Sequence, residues 1–141
     1  MKQGLEGRIS NGNGHELRSA GERRIAGYLD AQGIPYEYER PLLVLDQDKP
    51  RIWYPDFYLP ELAIYLEYYG LAGQPDYDQS VQHKQGVYRA MKIDVVPLFP
   101  STFRTDWRGY IIDSLQRITE RRYRAVKRSR NGYRMARSKY G

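Results

Sequence analysis

Two acids eleven residues apart carry the chemistry this sequence suggests: Asp56 in Tyr54-Pro55-Asp56-Phe57, and Glu67 in Ile64-Tyr65-Leu66-Glu67-Tyr68-Tyr69-Gly70. Each lies in an apolar run of strand character. Side chains alternate faces along a strand, so a hairpin turning at Pro60-Glu61 brings both acids to one rim of a sheet. Adjacent carboxylates repel, and they persist where a divalent cation or a shared proton neutralises them. Hard oxygen donors of this kind suit magnesium or manganese. The spacing predicts a metal site.

The elements that must hold this pair can be read from either side of it. Ser19-Ala20-Gly21-Glu22 has capping-box spacing, and Ile25, Tyr28 and Leu29 form a helical stripe that Gly33 closes. Three strand patterns follow over 34–43, 51–59 and 62–69, with turns at 46–50 and at Pro60-Glu61, which predicts an antiparallel meander. A helix over 76–91 then leads to a short strand at 95–99, and a helix between strands predicts that this last strand runs parallel to the third. From Asp106 a further helix shows Trp107, Ile111, Leu115 and Ile118 on one face before passing into a basic tail. The expected class is α/β, a mixed four-stranded sheet flanked by helices. Residues 1–18 form a glycine-rich arm, 19–118 the domain, and 119–141 a basic, helical tail.

At 141 residues the chain is long enough for one core and too short for a helicase or motor. No apolar run is long enough to cross a bilayer and the amino terminus lacks the apolar core of a secretion signal, so the expectation is a cytoplasmic or nucleoid-associated protein, not secreted. With no cysteine, metal ligands must be oxygens or His15 and His83, and those two lack ligand spacing. The net charge of +6 is uneven. From Arg117 onward there are ten Lys or Arg against Glu120 alone, whereas the residues before carry 13 basic and 16 acidic side chains. Such a tail attracts a polyanion through counterion release, and Tyr123, Tyr133 and Tyr140 interleave its cations as stacking surfaces; the plainer reading is a solvated tail or one that binds acidic proteins.

The succession of a Glu22-bearing helix, three strands with Asp56 and Glu67, a helix and a parallel strand resembles the restriction-endonuclease-like PD-(D/E)xK nucleases over residues 19–100. Within them, Tyr54-Pro55-Asp56-Phe57-Tyr58-Leu59 with Tyr65-Leu66-Glu67-Tyr68-Tyr69-Gly70 is most similar to small Holliday-junction-resolvase-like nucleases and to helicase-associated nuclease modules. The resemblance implies a magnesium- or manganese-dependent DNA endonuclease whose ion is held by Asp56, Glu67 and the backbone carbonyl of Tyr68, with Glu22 acting directly or through water. It also implies DNA, branched for a resolvase, as partner, and a possible homodimer. A nuclease subunit of a repair, restriction or transposition assembly, or a non-catalytic nucleic-acid-binding module of the same fold, fits the same residues.

One position departs from the family pattern. Where it has a lysine two residues after the second acid, this chain has Tyr69, a neutral phenol that supplies no cation. Lys84 is the candidate replacement. It shares one helix face with Tyr77, Val81, Tyr88 and Met91, and a cation within an apolar stripe is costly unless a carboxylate meets it or its head snorkels to water. Tyr69 and Tyr88 are placed to hydrogen-bond a phosphate or a metal-bound water. Glu22 has two roles open to it, as partner of the Ser19 cap and as a catalytic acid. Glu39 is expected to face solvent or pair with an arginine, and His83 to lie on the surface. Arg18, Arg121, Arg122, Arg124, Lys127, Arg128 and Arg130, with Lys2 and Arg8 of the arm, are the expected phosphate contacts.

Overall fold

A four-stranded mixed sheet carries Glu67 and, just ahead of one of its strands, Asp56. The structure, a computed structural model, describes residues 17–140, with side chains described over 17–132. Strands lie in the order β1 (Glu37–Tyr38), β4 (Phe57–Leu59), β5 (Ile64–Tyr68) and β6 (Val95–Leu98), while β2 (Leu42–Asp46) and β3 (Lys49–Trp53) pair separately as a hairpin. The first two pairings in the sheet are antiparallel and the last, β5 with β6, is parallel. Parallel neighbours need a crossover, and α2 (Pro75–Ala90) supplies it. Helix α1 (Ala20–Ala31) precedes the sheet, and α3 (Trp107–Tyr140) follows a 3-10 turn at Pro100–Arg104. The α/β class and the parallel final strand are as expected. Among the described residues no helix is long and apolar enough to cross a membrane. The residues numbered 1–16, with Lys2, Arg8 and His15, lie outside the description, as do the side chains of Tyr133 and Tyr140.

The expected meander is interrupted twice, each time beside a proline. Glu39 turns left-handed at φ 56° ahead of Pro41, and Pro55 separates β3 from β4. A proline has no N–H for a ladder and pushes the residue before it out of regular continuation. The segments released between these breaks pair with each other. Their turn is Gln47-Asp48 alone, at φ 53° and 64°, the left-handed pair that a two-residue hairpin requires. Pro50, expected in the turn, stands opposite Leu45 in a strand whose outer edge needs no donor. The hairpin's inward residues face α2, while Leu43, Leu45 and Ile52 are left exposed.

Parity along the strands sorts the sheet into two faces. Phe57, Leu59, Ile64, Leu66, Val96 and Leu98 join Ile25 and Leu29 of α1 and Ile111 and Leu115 of α3 in the main core. Leu17 is also buried there, so the packed body begins before the expected boundary at Ser19. On this face Tyr68 lies against α1 so closely that a Cβ at Gly21 would stand 2.5 Å from its ring. Tyr58, Tyr65 and Glu67 occupy the other face, which α2 covers through Lys84 and Tyr88.

Helix α1 starts at Ser19, whose hydroxyl accepts from Glu22 N at 3.1 Å, and closes at Gly33, φ 67°. The helical tail expected over 119–141 is the continuation of α3. Helix α3 continues unbroken to Tyr140, about 50 Å at the usual rise per residue. Among the described side chains only those of its first turns are buried, and Arg122 makes the last tie to the body. Its guanidinium donates to Leu62 O, to Ala63 O at 2.8 Å and to Asp94 Oδ2 at 2.7 Å, joining the β4–β5 turn to the start of β6.

Candidate active site

Asp56 and Glu67 meet across β4 and β5. The register pairs Phe57 with Leu66 and Tyr58 with Tyr65, which sets Asp56 opposite Glu67 on the face where the Tyr58 and Tyr65 rings lie 4.7 Å apart. Both line one cleft of about 300 Å³ with Trp53, Tyr69, Tyr77 and Lys84.

The Pro-Asp pair ends the ladder here in a chemically useful way. Tyr65 N donates to Asp94 O at 2.9 Å and Tyr69 N to Leu98 O at 2.8 Å, so odd-numbered amides of β5 face β6 and even-numbered ones face β4. Tyr68 is therefore turned toward residue 55. Pro55 has no N–H to offer its carbonyl, and Tyr68 N donates instead to Asp56 Oδ2 at 2.7 Å. One carboxylate is thereby fixed by a backbone amide beside a carbonyl that lacks its ladder donor from β4.

Glu67 is only 4% exposed, and three donors hold it. Lys84 Nζ stands 3.0 Å from Oε1, while Tyr69 and Tyr88 hydroxyls donate to Oε2 at 3.0 and 2.8 Å. The cation on the helical stripe thus meets the third strand's acid. Two donors fill Oε2, whereas Oε1 retains a lone pair for one more ligand. Burial first, and then the neighbouring Glu67, push both phenols well above the usual tyrosine range, so they stay protonated donors in neutral solution. Their hydrogens go to Glu67 rather than outward to a phosphate. Trp53, 5.8 Å from Lys84 Nζ and edge-on to Tyr88, completes the wall. Strand parity alone gave no reason to single out Trp53, because its place beside Lys84 depends on how the hairpin docks on α2.

The other expected residues lie elsewhere. Glu22, buried on α1, accepts from Tyr38 at 2.5 Å and from the Ser19 hydroxyl at 3.0 Å, and does not line the cleft. Burial and Glu22 together push the Tyr38 phenol far up. Arg18 pairs with Glu39 at 3.2 Å, the arginine partner expected of that acid, although Glu39 is buried. His83 is half exposed and stands 2.9 Å from Asp46. Arg121 and Arg122, expected on phosphates, converge on Asp94 at 2.6 and 2.7 Å. Arg124, Lys127, Arg128 and Arg130 are exposed along α3.

The donor set fits a small hard cation. Among the described residues no group of three or more acids or histidines gathers around one point, so two carboxylates and the Tyr68 carbonyl are what the cleft offers. Magnesium is commonly held by one or two carboxylates while keeping several waters, unlike calcium or zinc, which want fuller protein cages. Compared with protein-family models, with curated proteins and with solved structures, the chain matches none.

Proposed function

We propose that the chain is a metal-dependent DNA endonuclease with a restriction-endonuclease-like core, acting on branched DNA. The observation that carries this reading is the cross-strand pair Asp56–Glu67 in one cleft, with Lys84 seated on Glu67 at 3.0 Å. Asp56, Glu67 through Oε1, and the Tyr68 carbonyl would hold magnesium or manganese. When bound, such an ion polarises a phosphoryl oxygen and makes its water more acidic.

The chain's own residues do the rest. Lys84 offsets negative charge building on the phosphate, a fixed electrostatic contribution of about 3 kcal/mol in comparable sites. Tyr69 and Tyr88 lock the Glu67 carboxylate, so that its orientation is set before substrate arrives. The exposed cations of α3 supply affinity that an acidic cleft cannot. As the resemblance to PD-(D/E)xK nucleases implies, cleavage would leave 5′-phosphate and 3′-hydroxyl ends.

The test is cleavage of four-way junction, flap, single-stranded and linear duplex DNA with magnesium. Paired nicking of the junction is the expected result. Cutting of other forms alone would remove the branched-substrate assignment, and binding without any cutting would leave a nucleic-acid-binding module in place of the enzyme.

A further inference from the structure

Behind the carboxylate cleft lies a larger one, of about 810 Å³, between the end of α2, β6 and α3. Tyr69 lines both, and Tyr88, which lines the larger, donates to Glu67 in the smaller. The two spaces are therefore neighbours across a wall of two phenols. The lining of the larger cleft includes the apolar Ile93, Val95, Pro97 and Ile118 beside Gln85 and the two phenols. Its rim carries Arg89, Lys92, Arg121 and Arg122, with Asp94 the one acid in the lining.

Asp94 accounts for Arg122 and part of Arg121. Arg89 and Lys92 are exposed and make no ion pair among the described residues. Lys92 also sits at φ 57°, just past the end of α2, where Ile93 N returns to Tyr88 O at 2.9 Å. Helix ends of this form take glycine, and a side chain there costs about 1 kcal/mol. A lysine at that cost, on the rim of a cationic cleft, fits a binding role better than a structural one.

We infer that this cleft holds one nucleotide unit of a nucleic-acid strand, its base against Ile93, Val95, Pro97 and Ile118 and its phosphates on Arg89, Lys92 and Arg121, next to the phosphodiester at the carboxylate pair. Charge complementarity selects a polyanion, and the volume is in the range that encloses a nucleotide-sized group. The inference rests on the nucleic-acid reading above but not on cutting.

The experiment is equilibrium binding of a fluorescent single-stranded oligonucleotide in chelator, over a range of salt, for the wild type and the double variant Arg89→Ala/Lys92→Gly. Losing two phosphate contacts lowers affinity by about tenfold and flattens the salt slope by about 1.4. Thermal melting of the double variant does not fall, because glycine relieves the left-handed position. A deoxynucleoside monophosphate that displaces the probe from the wild type but not from the double variant means that the cleft accepts free nucleotide as well as strand. Wild-type affinity and slope in the double variant overturn the inference alone. A wild type that binds no nucleic acid overturns it together with the nucleic-acid reading, whereas one that binds and does not cut leaves it standing.

Discussion

Glu67 is nearly removed from water, and its two oxygens are shared among an amine and two phenols. Of these donors only Lys84 can place positive charge beside a phosphate, since Tyr69 is held neutral. We predict that Lys84→Ala lowers the cleavage rate by about a hundredfold or more, while Tyr69→Phe, which removes one of three hydrogen bonds, lowers it less than tenfold. Initial rates at saturating DNA would show this order, and the reverse order would mean that Lys84 is not the motif's missing cation. Asp56, Glu67 and Lys84 were legible in the sequence because strand parity and helical spacing are local rules. The two phenols were legible as neighbours of the site but not as partners of Glu67. That contact depends on how far α2 leans onto the sheet, which no local pattern states.

Helices and strands keep the cleft in register through a few ties that local patterns do not reveal. Gly21 is one. Alanine there gains about 1 kcal/mol of helix propensity, yet its Cβ would meet the Tyr68 ring at 2.5 Å and push α1 off the sheet. We predict a net loss of about 1–2 kcal/mol in denaturant unfolding for Gly21→Ala, and a gain instead would mean that the close approach carries no weight. Asp94 is another. Burial works to raise its carboxyl, but hydrogen bonds and charges from Arg121 and Arg122 hold it below the ordinary range. A folded-state pKa below the unfolded one adds stability that is complete above the unfolded value, about 4, and is lost as pH falls through the folded value. Asp94→Asn should therefore cost about 1–2 kcal/mol at neutral pH, and its deficit against the wild type should shrink steadily in acid. A deficit independent of pH would show that the ion pair does not stabilise α3 against the sheet. The helices were readable from caps and stripes, and the parallel strand from the helix before it. The division of two expected strands at Pro41 and Pro55 was not, because each run stays apolar across its proline and only backbone pairing shows where the ladder stops.

Across the whole molecule the net positive charge sits in α3, whose described residues beyond the tie at Arg122, 123–132, are exposed. Because the described side chains stop packing at Arg122, we predict that a chain ending at Ser129 melts at the wild-type temperature. Four Lys or Arg are lost with it, so duplex affinity should fall and the salt slope flatten by up to about 3.6. An unchanged slope would move the binding surface off α3. The separation of charge was plain in the composition, whereas the continuity of α3 through its basic half was not, since exposed helix and solvated tail share the same residues. The most direct measurement is magnesium-dependent cleavage of a labelled four-way junction by the wild type and by Glu67→Gln, with binding followed in parallel. Cleavage by the wild type, none by Glu67→Gln, and equal or tighter junction binding by the variant is the predicted result. A wild type that leaves every DNA form intact, or a variant that cuts at the wild-type rate, would contradict the assignment of Asp56 and Glu67 as a metal-holding pair.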